Sequence, residues 1–268
     1  MKLGLKIWSV NTGSYLHEAR RLYAEGVYDY LELYIVPGSQ ETLSAWQGLH
    51  RDLSLPFVLH APHSQHGVNL ADADKRVSNA EAFDEVRRFA DGLGAEKIVV
   101  HGGWYAEAGD SAAAHAQLAA QLASFADARL LLENKPYLPI GGLTRRLVGS
   151  TPDEIRSVLA EAGCGFCLDI GHMVVSANAH KADWRSWFGD FLSLRPAMAH
   201  ISDVQIDSDV DQHLHFGEGS LPVGEIVAKL PAQIHLSVET IKNSRDRLDD
   251  FVQDAAYLQH VALAQVHD

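Results

Sequence analysis

Six apolar runs in this chain each close on a side chain that can hold a cation or move a proton: His60, His101, Glu133, Asp169, His200 and Glu239. Imidazoles and carboxylates are costly to bury alone, so strands that carry them to their own ends present them to something. The segment Gly165-Phe166-Cys167-Leu168-Asp169-Ile170-Gly171-His172 sets the pattern, with an imidazole three residues after the carboxylate. Taken alone it reads equally well as an aspartate capping the next helix. Repetition on six consecutive strand ends, where Ser, Thr, Asn or Gly would also serve, points to a shared site. His172 and the segment Asp211-Gln212-His213-Leu214-His215-Phe216-Gly217-Glu218-Gly219 add further donors. The strand-end six with His172, Asp211 and His213 exceed the needs of one four- or five-coordinate ion and suit two or three. Imidazole and carboxylate without thiolate suit Zn²⁺, Mn²⁺ or Fe²⁺ and disfavour copper(I) or iron–sulfur chemistry.

The elements that must position these residues follow from periodicity. Strand-like runs cover Leu3–Trp8, Tyr30–Val36, Pro56–His60, Lys97–His101, Arg129–Glu133, Gly165–Asp169, Ala197–Ile201 and Ile234–Glu239. Helical spacing covers Ser14–Glu25, Glu41–Leu53, Asp74–Leu93, Ser111–Ala126, Thr151 to about Gly163, Ala182–Leu194, Val223–Leu230 and Arg245–Val266. Thr151-Pro152-Asp153-Glu154 is a strong helix start, with a cap, a proline in the first turn and Glu three residues on. Strict alternation of eight strands and eight helices predicts α/β architecture, a single (β/α)8 TIM barrel over residues 1–268. Such a barrel carries its active site at the C-terminal strand ends, where the donors lie. An open doubly wound sheet would need a glycine-rich phosphate loop after the first strand, and Ser9-Val10-Asn11-Thr12-Gly13 is not one.

Composition narrows the function. The 268 residues are 47% hydrophobic, enough for a sizeable core, and no apolar run is long enough to span a membrane. The amino terminus enters strand-like alternation without a signal-peptide layout, so the expected location is cytoplasmic. A net charge of −13 disfavours long polyanionic partners, while fifteen histidines favour metal or proton chemistry. Cys164 and Cys167 form a C-x-x-C, but their odd spacing along a strand points them to opposite faces, as small packed residues rather than a redox or zinc pair.

The segments Leu59-His60-Ala61-Pro62-His63, Val100-His101-Gly102-Gly103, Leu132-Glu133-Asn134, Cys167-Leu168-Asp169-Ile170-Gly171-His172, His200-Ile201-Ser202-Asp203, Asp211-Gln212-His213 with Gly217-Glu218-Gly219, and Val238-Glu239-Thr240 resemble endonuclease IV. More broadly they are similar to the AP-endonuclease-2 and xylose isomerase-like TIM barrels, including sugar isomerases and epimerases. The resemblance fills all nine metal-ligand positions. It implies one ion on His60, His101 and Glu133, a second on Glu133, Asp169, His200 and Glu239, and a third on His172, Asp211 and His213. Two or three zinc ions are the expected cofactors, with Glu133, Glu239 and His172 as catalytic residues. The resemblance implies cleavage of a phosphoester. A sugar or sugar-phosphate isomerase would instead use the Glu133, Asp169, His200, Glu239 quartet, with Glu133 and Glu239 as paired acid and base.

Three departures bear on substrate. His63 stands where the family has an aromatic residue that distorts DNA. Val36-Pro37-Gly38-Ser39-Gln40 lacks the family's arginine, and Gln212 replaces another. With the acidic charge, these disfavour duplex DNA and favour a small phosphorylated or sugar-like substrate. Lys135, Arg145, Trp104 and His63 are the candidate substrate contacts. Tyr137 and Arg146 share the loop after the fifth strand, Trp8 and Trp104 end the first and fourth strands, and both tryptophans could stack on a sugar ring. His66 and His215 are candidates for proton transfer or for bracing ligands, and Glu218 for bracing its glycine turn.

Overall fold

Alternation along each strand sorts its side chains between two environments. In the computed structural model, which describes residues 1–139 and 144–264, ten strands lie in chain order: β1 (Lys2–Trp8), β2 (Tyr30–Tyr34), β3 (Phe57–His60), β4 (Ile98–His101), β5 (Trp104–Ala106), β6 (Leu130–Glu133), β7 (Arg145–Leu147), β8 (Gly165–Asp169), β9 (Met198–Ile201) and β10 (His235–Val238). Eight of them close a parallel barrel in the order β1-β10-β9-β8-β6-β4-β3-β2. Leu31 and Leu33, Phe57 and Leu59, Ile98 and Val100, and their equivalents face outward into the main core. Tyr30, Val58, Val99, Leu131, Cys167 and Met198 form a separate cluster that fills the bottom of the lumen.

Two residues further along each of those six strands, the same inward phase yields Glu32, His60, His101, Glu133, Asp169 and His200. β1 supplies Lys6 at this inward level, and Glu239, just past β10, completes the ring. Every barrel strand thus delivers one ionisable group above an apolar floor.

The helices are α1 (Ser14–Ala24), α2 (Leu43–Leu53), α3 (Arg76–Leu93), α4 (Ser111–Phe125), α5 (Pro152–Ala162), α6 (Ile170–Ala179), α7 (Trp184–Ser193), α8 (Val223–Lys229) and α9 (Asp249–Ala264). The capping box at Thr151 and Glu154 opens α5. α6 departs from the sequence expectation, which has a loop there. Its residues Ile170 to Ala177 are all buried, so it has no polar face and shows no amphipathic period. α9 begins four residues later than expected, because residues 245–248 belong to a loop over the barrel mouth. Residues 265 and 266 of the expected helix lie outside the described residues. Trp104 opens β5 rather than ending β4, and Arg145 and Arg146 lie on β7. β5 and β7 form an antiparallel ribbon pairing Trp104 with Leu147 and Ala106 with Arg145. Cys164 packs against the outer core and Cys167 fills the lumen, on opposite faces as their spacing predicts, and both are free. Among the described residues no helix is long and apolar enough to cross a membrane.

A pH-sensitive contact joins α4 to α5. His115 Nε2 lies 3.6 Å from Glu154 Oε2. Burial disfavours charge on His115, but Glu154 and the Ser111 carbonyl outweigh it and raise its pKa. The pKa of Glu154 is lowered in turn, as His115 and backbone donors overcome burial. A raised histidine pKa stabilises below the unfolded value and is lost as pH rises through the folded one. A lowered glutamate pKa stabilises above its unfolded value, so the pair contributes most near pH 5–6. His115→Gln is expected to cost on the order of 1 kcal/mol at pH 5.5 and distinctly less at pH 8.5, read from urea denaturation. An equal loss at both values would remove the ion pair as its cause.

Candidate metal centre

The ring of inward side chains forms the floor of a cavity of about 890 Å³ at the C-terminal end of the barrel. His60, Glu133, Asp169 and His200 lie beneath it at 4% exposure or less, while His101, His172, His213 and Glu239 reach its surface. Among the described residues four groups of three donors converge, each with its atoms within 4.8 Å of one another. They are His60–His101–Glu133, Glu133–Asp169–His200, His172–Asp211–His213 and Glu32–His60–His200. Glu133 belongs to two of them. Glu239 stands beside the second, with Oε2 2.9 Å from His200 Nδ1 and Oε1 2.8 Å from Lys6 Nζ.

The orientation of each imidazole has a local cause. Nδ1–H of His60 donates to the Ala61 carbonyl at 2.9 Å, that of His172 to Asn134 O at 2.9 Å, and that of His213 to Glu239 O at 2.8 Å. A carbonyl can only accept, so these contacts place the proton on Nδ1 and leave Nε2 as the free donor atom. His200 is turned the other way. Its Nε2 donates to Glu32 Oε2 at 3.0 Å, leaving Nδ1 toward Glu133, Asp169 and Glu239.

Backbone geometry sets the carboxylates. Asn134 Oδ1 accepts the Asp169 N–H at 2.7 Å and its amide donates to Asp169 O, tying β6 to β8. Asp169 Oδ1 then caps α6 by accepting the His172 N–H at 2.7 Å, while Oδ2 lies 3.6 Å from the His172 ring. One side chain thus caps α6 and also belongs to the Glu133–Asp169–His200 group. His213 adopts a left-handed φ of +49°, held by the Ile241 N–H on its carbonyl. The loop around it is braced by Asp203, whose carboxylate accepts from Val204, Gly217, Gly219 and Leu221 N–H. A Cβ on Gly219 would overlap Asp203 Oδ1, which is why that position is glycine. Glu218 braces the turn by accepting the His215 N–H.

Glu32 and Lys6 are not among the sequence candidates. Lys6 Nζ bridges Glu32 Oε1 at 3.3 Å and Glu239 Oε1 at 2.8 Å. A charge inside an otherwise apolar strand, in phase with the strand-end donors, is the signal that could have found them. Lys135 Nζ lies 3.0 Å from Glu133 Oε1 and 3.3 Å from His101 Nε2 and from the His172 ring. His63 stacks on His101 at 4.5 Å, and burial pushes its pKa down to about 2. Lys135, His63 and Trp8 line the cavity. Trp104 and Arg145 instead pack on each other along the ribbon, and neither is among the cavity-lining residues described. Arg146 pairs with Glu107 and lies over Tyr137. His66 sits near Tyr34, and His215 Nδ1 donates to Asp254 at 2.8 Å.

The charge of this centre is unbalanced. Glu32 and Glu239 face the Lys6 ammonium, Glu133 faces Lys135, and Asp169 and Asp211 face His172. With the imidazoles neutral, as cation ligands are, five carboxylates against two ammonium groups leave a surplus of three negative charges where burial makes charge costly. Burial raises Asp169 to about 6, and it would lower His172, but Asp169 and Asp211 push that imidazole up to about 10. Burial also opposes charge on Glu133, but His101, Lys135 and His200 hold it well below the usual carboxylate range. His200 Nδ1, Glu239 Oε2 and Asp211 Oδ1 are buried with no hydrogen-bond partner among the described residues. Orphaned donor atoms converging on a surplus of negative charge fit divalent cations held by nitrogen and oxygen.

The family model described as xylose isomerase-like TIM barrel matches residues 20–261. The chain belongs to this family. Within the xylose isomerase-like barrels, it is 28% identical over 185 residues to a probable endonuclease 4 of Mycobacterium leprae, covering 65% of this chain and 68% of that one. Two solved structures share the fold. A D-tagatose 3-epimerase-like protein superposes with a TM-score of 0.78 at 21% identity, covering 100% of this chain and 99% of the other. A Thermus thermophilus protein soaked with zinc chloride gives 0.70 at 23% identity, covering 98% of each. Proteins named as endonuclease 4 and as sugar epimerases are both among those that the chain resembles.

Proposed function

We propose that this chain is a metal-dependent hydrolase of a small phosphoester, using His60, His101, Glu133, Asp169, His172, His200, Asp211, His213 and Glu239 to hold two or three zinc ions. The supporting observation is the His172–Asp211–His213 group beside the two groups that share Glu133. Divalent ions there would supply Lewis-acid charge to a phosphoryl oxygen and to the leaving oxygen. The chain's own groups supply the rest. Lys135 would hold a non-bridging phosphoryl oxygen, since its ammonium stands over the junction of two donor groups. His63, kept neutral, would exchange a hydrogen bond with a substrate hydroxyl. Glu133 and Glu239 keep the centre acidic enough to retain its cations. A cavity of about 890 Å³ suits a sugar phosphate rather than a duplex.

A second reading, a sugar or sugar-phosphate isomerase or epimerase, is favoured by the closeness of Glu239 to the Glu133–Asp169–His200 group. It needs a single ion and leaves the third group idle. Elemental analysis of the purified chain should find two or three zinc ions. His172→Ala should remove one of them and lower phosphatase turnover of a sugar-phosphate panel roughly 10²-fold or more. One ion per chain, with turnover untouched by His172→Ala, would favour the isomerase. Metal-dependent nicking of an abasic-site duplex would return DNA as the substrate.

A further inference from the structure

The loop after Glu239, residues 240–248, contributes to the cavity wall away from the floor. Lys242 and Arg245 both line this cavity, and both have donors to spare. An ammonium carries three N–H donors and a guanidinium five. Among the described residues, the one hydrogen bond of Lys242 Nζ is to Thr240 O at 2.9 Å, and Arg245 makes neither a hydrogen bond nor an ion pair. Burial lowers the pKa of Lys242 against the pull of Asp250, Asp254 and Glu239, so its charge is poorly solvated.

The nearby carboxylates are already engaged. Asp250 accepts the Asn243 and Phe251 N–H groups, both at 2.7 Å. Asp254 Oδ2 accepts from His215 at 2.8 Å and from the Thr240 hydroxyl at 2.7 Å, and its Oδ1 accepts the Phe216 N–H. Glu239 Oε1 is taken up by Lys6, and its Oε2 points to the floor beside His200. The loop itself is pinned: Ser244 Oγ accepts the Asp246 and Arg247 N–H groups, and Tyr15 O–H donates to Ser244 O. Ser244 Oγ keeps its own proton to donate into the cavity that it lines.

We infer that Lys242, Ser244 and Arg245 form an anion subsite for a second, non-reacting phosphate of a small substrate, whose reacting phosphoester lies on the histidine–carboxylate floor. Two cations of different shape and a hydroxyl on a fixed loop match a tetrahedral dianion, and loops after the last barrel strands are a recurrent place for one. Trp8, 41% exposed and lining the same cavity, offers a face for the carbon skeleton between the two ends. The inference rests on the proposed centre only for what lies at the inner end.

The test is calorimetric titration of the zinc-loaded full chain with D-fructose 6-phosphate, D-fructose and inorganic phosphate. The phosphorylated sugar should bind at least about tenfold more tightly than the sugar. Arg245→Gln and Lys242→Met should each remove roughly five- to tenfold of that gain while zinc content and Tm stay at the parent values. Arg245 is exposed, so its variant tests the subsite even if Lys242→Met folds poorly. Phosphate binding that survives Glu133→Gln but weakens with Arg245→Gln keeps the subsite even if the floor holds no metal. Phosphate binding abolished by Glu133→Gln and indifferent to both loop variants places the anion on the floor and overturns the subsite. Equal affinity for D-fructose 6-phosphate and D-fructose overturns it as well.

Discussion

Glu133→Gln is expected to strip the centre of the cations shared between its two inner groups and to lower kcat/KM roughly 10³-fold or more. Its carboxylate is shared by His60–His101 and by Asp169–His200, with Oε2 at 3.2 Å from His60, 3.1 Å from His101 and 3.3 Å from His200. An amide keeps the volume but not the charge, and its nitrogen cannot donate a lone pair to a cation. The metal-free variant should remain folded. The amide keeps the side chain's volume and an oxygen that can still accept from the Lys135 ammonium. Elemental analysis and thermal melts separate the two effects. Full zinc content with unchanged turnover would show that Glu133 bridges nothing, and a collapse of Tm in the metal-free variant would make its role structural.

Glu32→Gln is the second large effect, and the less obvious one. Glu32 is fully buried and touches no substrate space; it holds Nε2 of His200 and shares Lys6 with Glu239. Burial opposes its charge, but His200 and Lys6 bring its pKa down to about 2, so it is ionised at working pH. An amide at this place can still accept from His200, but its NH₂ must then face the Lys6 ammonium. Turned the other way, the amide gives its oxygen to Lys6 and His200 loses the acceptor that selects its tautomer; in either orientation Lys6 keeps one carboxylate, Glu239. Zinc affinity, measured by competition with a chromogenic chelator, should fall roughly 10- to 100-fold, the usual cost of losing an outer partner of a metal-binding histidine. Unchanged affinity would mean that the Glu32–His200 contact is packing alone. Glu32→Ala distinguishes the two causes, since it removes the acceptor without placing a donor against Lys6.

The difference between these two glutamates shows what can be read in advance. Glu133 ends an apolar run, and position at a strand end is visible along a linear chain. Glu32 sits inside Tyr30-Leu31-Glu32-Leu33-Tyr34, where it resembles a polar interruption of a strand. Only closure of the barrel brings β2 across the lumen to β9 and makes a pair of residues 168 positions apart. α6 is hidden for a related reason. Burial on all sides erases the polar face by which a helix betrays itself, so the sequence pattern gives His172 a loop although it stands in the first turn of a helix. Trp104 and Arg145 are expected at the substrate, but ribbon pairing, a contact between segments some forty residues apart, turns them toward each other.

Local chemistry is therefore decided by the amino-acid order. It dictates which strands are apolar on both faces, where each ends, and that His, Asp and Glu stand there at one phase of a two-residue repeat. That repeat is enough to predict a barrel and a ring of donors, because strand geometry depends on neighbours in sequence. Tertiary structure alone decided the partners: which nitrogen of each histidine is free, that Lys6 and Glu32 complete the ring, and that Lys242 and Arg245 share a cavity with it. These depend on distances between strands and loops far apart in the chain, and no local pattern encodes them until the sheet has closed.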